Sequence, residues 1–123
     1  MPLDVLIVDD LAAVRTILQR VLRHARVPLG SVYEAGDGAE SLAILREKAV
    51  GLIFSGINMP NMDGIQLLTR VKSNEVWKKV PVIMIATEGS QAKVMEAAQL
   101  GASGYLKTPF CPEQIKDKIE GLI

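Results

Sequence analysis

The sequence is poor in cysteine and in aromatic residues, and it carries no excess of charge. Its 123 residues include one cysteine, Cys111, and only 4% of them are aromatic. One cysteine excludes an internal disulfide and is typical of a reducing compartment. The 14 basic residues balance the 14 acidic residues. This balance gives no electrostatic sign of nucleic acid or of a membrane surface as a partner.

The sequence also lacks a long apolar run. The first residues, MPLDVLIVDD, reach two aspartates after a few apolar positions, so they match neither a signal peptide nor a membrane span. The length suits one domain that can bury a core without disulfides or metals. We therefore expect a cytoplasmic protein with a single domain over residues 1–123.

Short apolar runs alternate with longer amphipathic segments along the whole chain. The pattern predicts strands at residues 5–8, 32–33, 52–54, 81–85 and 105–106. It predicts helices at residues 12–25, after a cap at Asp37, at about 65–72, from Ser90 or Gln91 to Gly101, and from Pro112. Five strand–helix units with nearly continuous apolar strands indicate an α/β protein. Its doubly wound, five-stranded parallel sheet should be covered by five helices.

In such sheets, ligands bind beyond the carboxyl ends of the strands. The first of these ends carries Asp9 and Asp10, and the third carries Ser55 and Gly56 with Asn58 just beyond. Residues 86–88 and 107–109 follow the fourth and fifth strands. An acidic pair before a helix can be a simple cap, but the four ends together form a more specific pattern.

Four segments carry this pattern: VDD at 8–10, NMPNMDG at 58–64, ATEG at 86–89 and GASGYLKTPF at 101–110. Together they resemble the receiver domains of two-component response regulators, most closely the single-domain chemotaxis (CheY-like) type. The resemblance covers essentially the whole chain. It implies a flavodoxin-like fold and a signalling protein in a phosphorelay rather than an enzyme.

The resemblance also implies a phosphorylation site. In the family, an aspartate after the third strand accepts a phosphoryl group from a histidine kinase, and it holds Mg²⁺ together with the first acidic pair. A hydroxyl after the fourth strand and a lysine after the fifth contact the phosphoryl oxygens. A carboxylate nucleophile, a metal ion and an ammonium suit phosphoryl transfer because they attack the phosphorus and neutralise its charge.

Three of these side chains are missing here. The acceptor position is Gly56, the hydroxyl position is Ala86 and the lysine position is Thr108. Asp9 and Asp10 match the acidic pair. With the Asn58 carbonyl they can still hold Mg²⁺, but we expect a lower affinity because Gly56 removes one ligand.

Neighbouring residues offer poor substitutes. Ser55, Thr87 and Lys107 are each displaced by one residue from the family positions. Because successive side chains of a strand point to opposite faces, Ser55 should face the core and Lys107 should lie on the side of Tyr105.

The leading hypothesis is therefore a pseudo-receiver that signals through protein–protein contacts. Two alternatives stay close to it: phosphotransfer to a relocated acceptor such as Ser55 or Thr87, and an engineered variant of a working receiver. A flavodoxin-like binder of flavin or another small ligand is a further alternative, although the loops lack a glycine-rich phosphate cradle.

Two aromatic residues bear on partners. Tyr105 occupies the place of the family's switch residue, and it can equally be a partly buried packing residue. The resemblance implies that a histidine kinase or a chemotaxis target docks on the fourth helix, fifth strand and fifth helix of a monomer or weak dimer. Trp77, in the polar segment KSNEVWKK, is either a partly exposed packing residue or a contact point.

Overall fold

The computed structural model describes residues 2–87, 89–108 and 110–122, so the predicted site positions Glu88 and Pro109 lie outside the described residues. The strands are β1 (Leu3–Val8), β2 (Leu29–Ala35), β3 (Leu52–Gly56), β4 (Val82–Ala86) and β5 (Gly104–Lys107). The helices are α1 (Ala12–His24), α2 (Gly38–Glu47), α3 (Gly64–Lys72), α4 (Gln91–Gln99) and α5 (Pro112–Glu120).

All strand pairs are parallel, and the order across the sheet is β2-β1-β3-β4-β5. This confirms the predicted doubly wound α/β fold of the flavodoxin-like type. Chain order reverses between β1 and β3, which are direct neighbours. The expected ligand-binding site therefore lies at the carboxyl ends of these two strands.

The central strands are buried on both faces because helices cover both sides of the sheet. On one face, Leu6, Val8 and Ile53 pack against apolar residues of α2 and α3. On the other face, Ile7 and Phe54 pack against α1 and α5. Alternation along β1 and β3 thus divides their side chains between two cores, which explains why these strands contain almost no polar residues.

β2 is longer than the apolar pattern predicts. Leu29 pairs with Leu3 at the edge of the sheet, and the Asp4 carboxylate accepts a 2.7 Å hydrogen bond from the Ser31 N–H. Gly30 and Ser31 are exposed. An edge strand with one solvated face carries a weak hydrophobic signal, so only its buried half is evident from the sequence.

The predicted cap at Asp37 is confirmed, and a second cap at Asp63 was not predicted. Asp37 caps α2 by accepting a hydrogen bond from the Glu40 N–H, and Glu40 in turn accepts one from the Gly36 N–H. Asp63 and Gln66 form a complete capping box at α3. Within the described residues, no helix is long and apolar enough to cross a membrane.

Candidate functional site

The carboxyl ends of β1, β3, β4 and β5 surround a cleft of about 140 Å³, here called the acid cleft. Its lining residues are Asp9, Asp10, Leu11, Val14, Ile57, Asn58, Ile85, Thr87 and Thr108. The fold therefore brings the predicted acidic pair, Asn58 and Thr108 to one place. The remaining hydroxyl, that of Thr87, comes from the residue after the predicted position.

Asp9 is the buried acid of the cleft, with only 8% of its surface exposed. Its Oδ1 accepts a 2.9 Å hydrogen bond from the Leu11 N–H, and its own N–H donates to the Ala35 carbonyl at 3.0 Å. Burial raises the pKa of the Asp9 carboxyl, the Leu11 hydrogen bond opposes this, and the charge of Asp10 raises the pKa further. The cleft thus contains a carboxylate whose charge is poorly compensated.

Gly56 leaves space that the Asp9 carboxylate uses. Gly56 ends β3, and a Cβ atom on it would lie 2.6 Å from Asp9 Oδ2 and 3.3 Å from Asp9 Cγ. The Asp9 side chain therefore extends into the volume where the side chain of residue 56 would begin. Any larger residue at position 56 has to displace this carboxylate.

Arg15 is a part of the site that the sequence pattern did not identify. Its Nη1 donates a hydrogen bond to the backbone carbonyl of Asp9, and its Nε contacts Glu34 Oε1 at 3.0 Å. Arg15 thereby connects the end of β1 to β2 and lowers the pKa of Asp9 slightly. The available signal was its place on α1, within two turns of the acidic pair.

Ser55 and Lys107 point away from the cleft, as strand alternation predicts. Ser55 is fully buried, and its hydroxyl donates a 2.9 Å hydrogen bond to the Gly56 carbonyl. Lys107 lines a separate groove beside Tyr105. Because the Ser55 hydroxyl is enclosed and already bonded, it has no access to a phosphoryl donor.

Thr108 and Thr87 line the side of the cleft formed by the ends of β4 and β5, and Ala86 adjoins Thr108 behind them. Ala86 is buried at the end of β4, and its carbonyl accepts a 3.1 Å hydrogen bond from the Thr108 N–H. Thr87, one residue further, lies on the surface; its N–H donates to Ser90 Oγ, which in turn donates to the Thr87 carbonyl. Among the described residues, this side of the cleft therefore offers neutral hydroxyls and no ammonium.

Residues 57–64, the framing loop, close the cleft on its β3 side. The Gly64 N–H donates a 2.8 Å hydrogen bond to the Ile57 carbonyl, and a Cβ atom on Gly64 would collide with the Gly56 backbone. Asn61, at a φ of 64°, donates a 2.7 Å hydrogen bond to Asp37 Oδ2. Hydrogen bonds from Glu40 and Asn61 lower the pKa of Asp37. The loop is thus fixed by backbone packing and by the α2 cap.

The donors in the cleft suit Mg²⁺ only in part. Two carboxylates and backbone oxygens are acceptable ligands, since Mg²⁺ often uses one or two carboxylates and retains several waters. However, no group of three or more His, Cys, Asp or Glu side chains gathers anywhere in the described ranges. Asp9 and Asp10, with the Asn58 carbonyl, would hold the ion. The charge of the ion would then offset the repulsion between the two carboxylates.

Tyr105 lies apart from the cleft and is 47% exposed, so it is only partly buried, as either interpretation allows. Lys118 Nζ lies 5.1 Å from the centre of its ring, in a cation–π arrangement. Two grooves flank the ring, one of about 330 Å³ towards α4 and one of about 590 Å³ towards α5. Met95, on α4, is 67% exposed beside the first groove.

Comparisons with known proteins agree with this architecture. Residues 5–120 match the family described as the response regulator receiver domain. The chain is 36% identical to chemotaxis protein CheY of Pseudomonas aeruginosa, over 96% of the chain and 94% of that protein. It is 35% identical to CheY-3 of Vibrio cholerae, over 96% of the chain and 89% of that protein. The solved structure of Vibrio cholerae CheY4 covers 100% of both chains at 32% identity and a TM-score of 0.86.

Proposed function

Because this chain belongs to the response regulator receiver family of two-component signalling, we propose that it signals through protein contacts without phosphorylation of an aspartate. Receiver domains are in general non-enzymatic modules that interact with kinases, chemotaxis targets and other signalling proteins, and they bind Mg²⁺ at their acidic site. What distinguishes this chain is the absence of the acceptor.

The observation that carries the proposal is the contact between Gly56 and Asp9. The acceptor position has no side chain, and the Asp9 carboxylate projects into its space. The family's hydroxyl and lysine positions are occupied by Ala86 and Thr108. Without a nucleophile and without the ammonium that neutralises the transferring group, the two main contributions to phosphoryl transfer are lost together.

We also propose a weakened magnesium site. Asp9, Asp10 and the Asn58 carbonyl would bind the ion, which would supply positive charge to the cleft. The affinity should be lower than that of a receiver with three carboxylates, because one direct ligand is absent.

The proposed partner surface is the face formed by α4, β5 and α5. Tyr105 and Met95 expose apolar area there, and Lys118 covers the Tyr105 ring from one side. Exposed aromatic and methionine side chains next to grooves are typical of protein-binding surfaces. A partner would bind this surface while the protein is unphosphorylated.

The main experiment uses intact-mass measurement after incubation with acetyl phosphate and Mg²⁺. We expect no phosphoryl adduct on this chain. The matched control is the triple variant Gly56→Asp, Ala86→Thr, Thr108→Lys, which should gain a hydroxylamine-sensitive adduct. A stoichiometric, hydroxylamine-sensitive adduct on the unaltered chain would overturn the proposal.

The same measurement tests a relocated acceptor. A phosphoryl group on a hydroxyl resists hydroxylamine, so an adduct with that property would support the alternative, and peptide mapping would identify the residue. Thr87 is the relevant residue because it lines the acid cleft, whereas the Ser55 hydroxyl is buried.

An acceptor aspartate alone should restore little phosphorylation-dependent switching. Gly56→Asp leaves Ala86 and Thr108 in place, so phosphorylation by a cognate kinase should remain slow and uncoupled from the partner surface. The triple variant should respond better. Full kinase-dependent switching by Gly56→Asp alone would contradict the joint loss of the site.

The domain organisation, oligomeric state and location of the protein are also open to test. We propose that residues 1–123 act as one receiver domain, as a monomer or weak dimer, in the cytoplasm. Size-exclusion chromatography with light scattering checks the oligomeric state, and cell fractionation checks the compartment.

A further inference from the structure

A second surface lies at the opposite end of the strands from the acid cleft, where β3 and β4 begin. A groove of about 320 Å³ opens there between the segment after α2 and the segment before β4. We call it the Trp77 groove, and its lining consists of residues 45–50 with Val76, Trp77 and Val80. It has no residue in common with the acid cleft or with the α4–β5–α5 face.

The segment that presents Trp77 is rigidly hydrogen-bonded. Asn74 Oδ1 accepts hydrogen bonds from the N–H groups of Val76 at 2.8 Å and Trp77 at 3.2 Å. Lys72 Nζ donates to the carbonyls of Lys78 at 3.2 Å and Val80 at 3.1 Å. The groove is therefore preformed, and a ligand would not have to order it.

The groove exposes apolar surface that the fold does not use. Val76 is 81% exposed, the highest value among the large apolar side chains of the described residues. Trp77 packs against the core on one side and lines the groove on the other. A partly exposed tryptophan beside exposed aliphatic surface is a common anchor point in protein interfaces.

The rim of the groove is basic. Residues 45–50 and 75–80 contain four basic residues (Arg46, Lys48, Lys78, Lys79) and two acidic ones, so these segments carry 4 − 2 = +2 in a chain of net charge zero. Glu75 pairs with Lys78 at 2.7 Å. Within the described residues, the other three basic side chains form no ion pair. An acidic ligand would therefore meet complementary charge.

We propose that the Trp77 groove binds a short acidic segment of a partner protein, which inserts an apolar side chain beside Trp77. Leu45 and Val50 lie inside the groove, where an inserted side chain can reach them and a flat lipid surface cannot. Flanking carboxylates of the segment would contact Arg46, Lys48 and Lys79. Because this surface is separate from the acid cleft, binding there does not depend on phosphorylation.

The chain offers a direct probe, since Trp77 is its only tryptophan. We would titrate the whole protein with a short synthetic peptide that has a central Leu-Phe pair flanked by glutamates, and follow tryptophan fluorescence. We expect a saturable blue shift at low salt that weakens as ionic strength rises. Control peptides replace the glutamates by lysines, or the Leu-Phe pair by serines, and should bind at least tenfold more weakly.

Matched variants test the location. The double variant Arg46→Glu, Lys48→Glu should lower the affinity about tenfold, and Val76→Ser should lower it a few-fold. Arg20→Glu changes an exposed charge on α1 and should leave the affinity unchanged. Circular dichroism confirms that each variant is folded.

Three results would overturn the proposal. The first is no shift with the acidic peptide, and the second is equal binding of the lysine peptide. The third is binding that Arg46→Glu, Lys48→Glu does not affect. If the first result came with a shift on phosphatidylserine vesicles, the surface would be assigned to a membrane.

Discussion

The acid cleft and the framing loop lie side by side, and they differ in what holds them together. The loop is closed by backbone packing of Gly64 on the Gly56 carbonyl and by two side-chain contacts, since Asp63 caps α3 and Asn61 donates a hydrogen bond to Asp37. The cleft consists of side chains whose charges are not balanced, with Asp9 buried and Asp10 next to it. The framing loop therefore contributes to stability, whereas the acid cleft reduces it.

From this difference we infer that the receiver fold does not need an acceptor side chain at position 56 for its stability. In our proposal, the glycine at this position keeps a side chain out of a crowded group of acids, which costs the fold little. Loss of a framing-loop residue breaks a backbone contact or a helix cap. Substitutions in the two regions should consequently differ in size and, in some cases, in sign.

The largest effect should come from Gly64→Ala. The added Cβ would collide with the backbone of Gly56, which cannot move without disturbing β3. We expect a loss of about 3 kcal/mol in the free energy of unfolding, measured by urea denaturation. Gly36→Ala is the control, because its Cβ would meet only Glu40 Oε2 at 3.5 Å. Similar losses for both would show that the loop is not held as described.

Gly56→Asp should have the next largest effect. The new carboxylate displaces that of Asp9 and adds a third negative charge to the cleft, so we expect a loss of about 1–2 kcal/mol without metal. Mg²⁺ should recover this loss, because binding to the native state stabilises it. Gly56→Asn is the matched control with the same size and no charge. An equal response of the two variants to Mg²⁺ would contradict the electrostatic account.

Asp9→Asn should act in the opposite direction. It removes a buried charge but keeps an acceptor for the Leu11 N–H, so we expect a gain on the order of 1 kcal/mol at neutral pH without metal. Because the folded pKa of Asp9 is raised, the native state binds more protons than the unfolded chain. Stability of the unaltered protein should therefore fall as pH rises from 3.8 through that raised pKa. In urea denaturation of chelator-treated protein, the stability of Asp9→Asn should not fall over this pH range.

Much of the fold follows from local sequence signals. β1, β3 and β4 are apolar runs that are buried on both faces, and the Asp37 cap is predicted from its place before the second helix. The first half of β2 is not predicted, because Gly30 and Ser31 are small or polar and exposed at a solvated edge and they separate Leu29 from the apolar run. Local patterns do not contain information about such pairing, which depends on the neighbouring strand.

The site is less evident from sequence than the fold. The resemblance identifies which positions should carry chemistry, but it does not say how the remaining side chains rearrange. The Asp9 carboxylate occupies the space above Gly56, and Arg15 donates a hydrogen bond to the Asp9 carbonyl. Both contacts depend on three-dimensional packing between different elements, which local sequence patterns do not contain. The contact between Tyr105 and Lys118 of α5 likewise joins two different elements.

The smallest effect, and the sharpest contrast with Asp9, should come from Asp37→Asn in the α2 cap. Asparagine is as good a cap as aspartate, so the loss at neutral pH should stay below about 0.5 kcal/mol. Hydrogen bonds from the Glu40 N–H and Asn61 lower the folded pKa of Asp37, so its charged form contributes stability above pH 3.8 that is lost as pH falls through the folded value. Acid titration followed by circular dichroism should show a shallower acid limb for Asp37→Asn than for the unaltered protein. Since the pKa values of Asp9 and Asp37 shift in opposite directions, the slopes of stability against pH should change with opposite signs in the two variants. Slope changes of the same sign in the two variants would mean that the acid cleft and the α2 cap share one electrostatic environment.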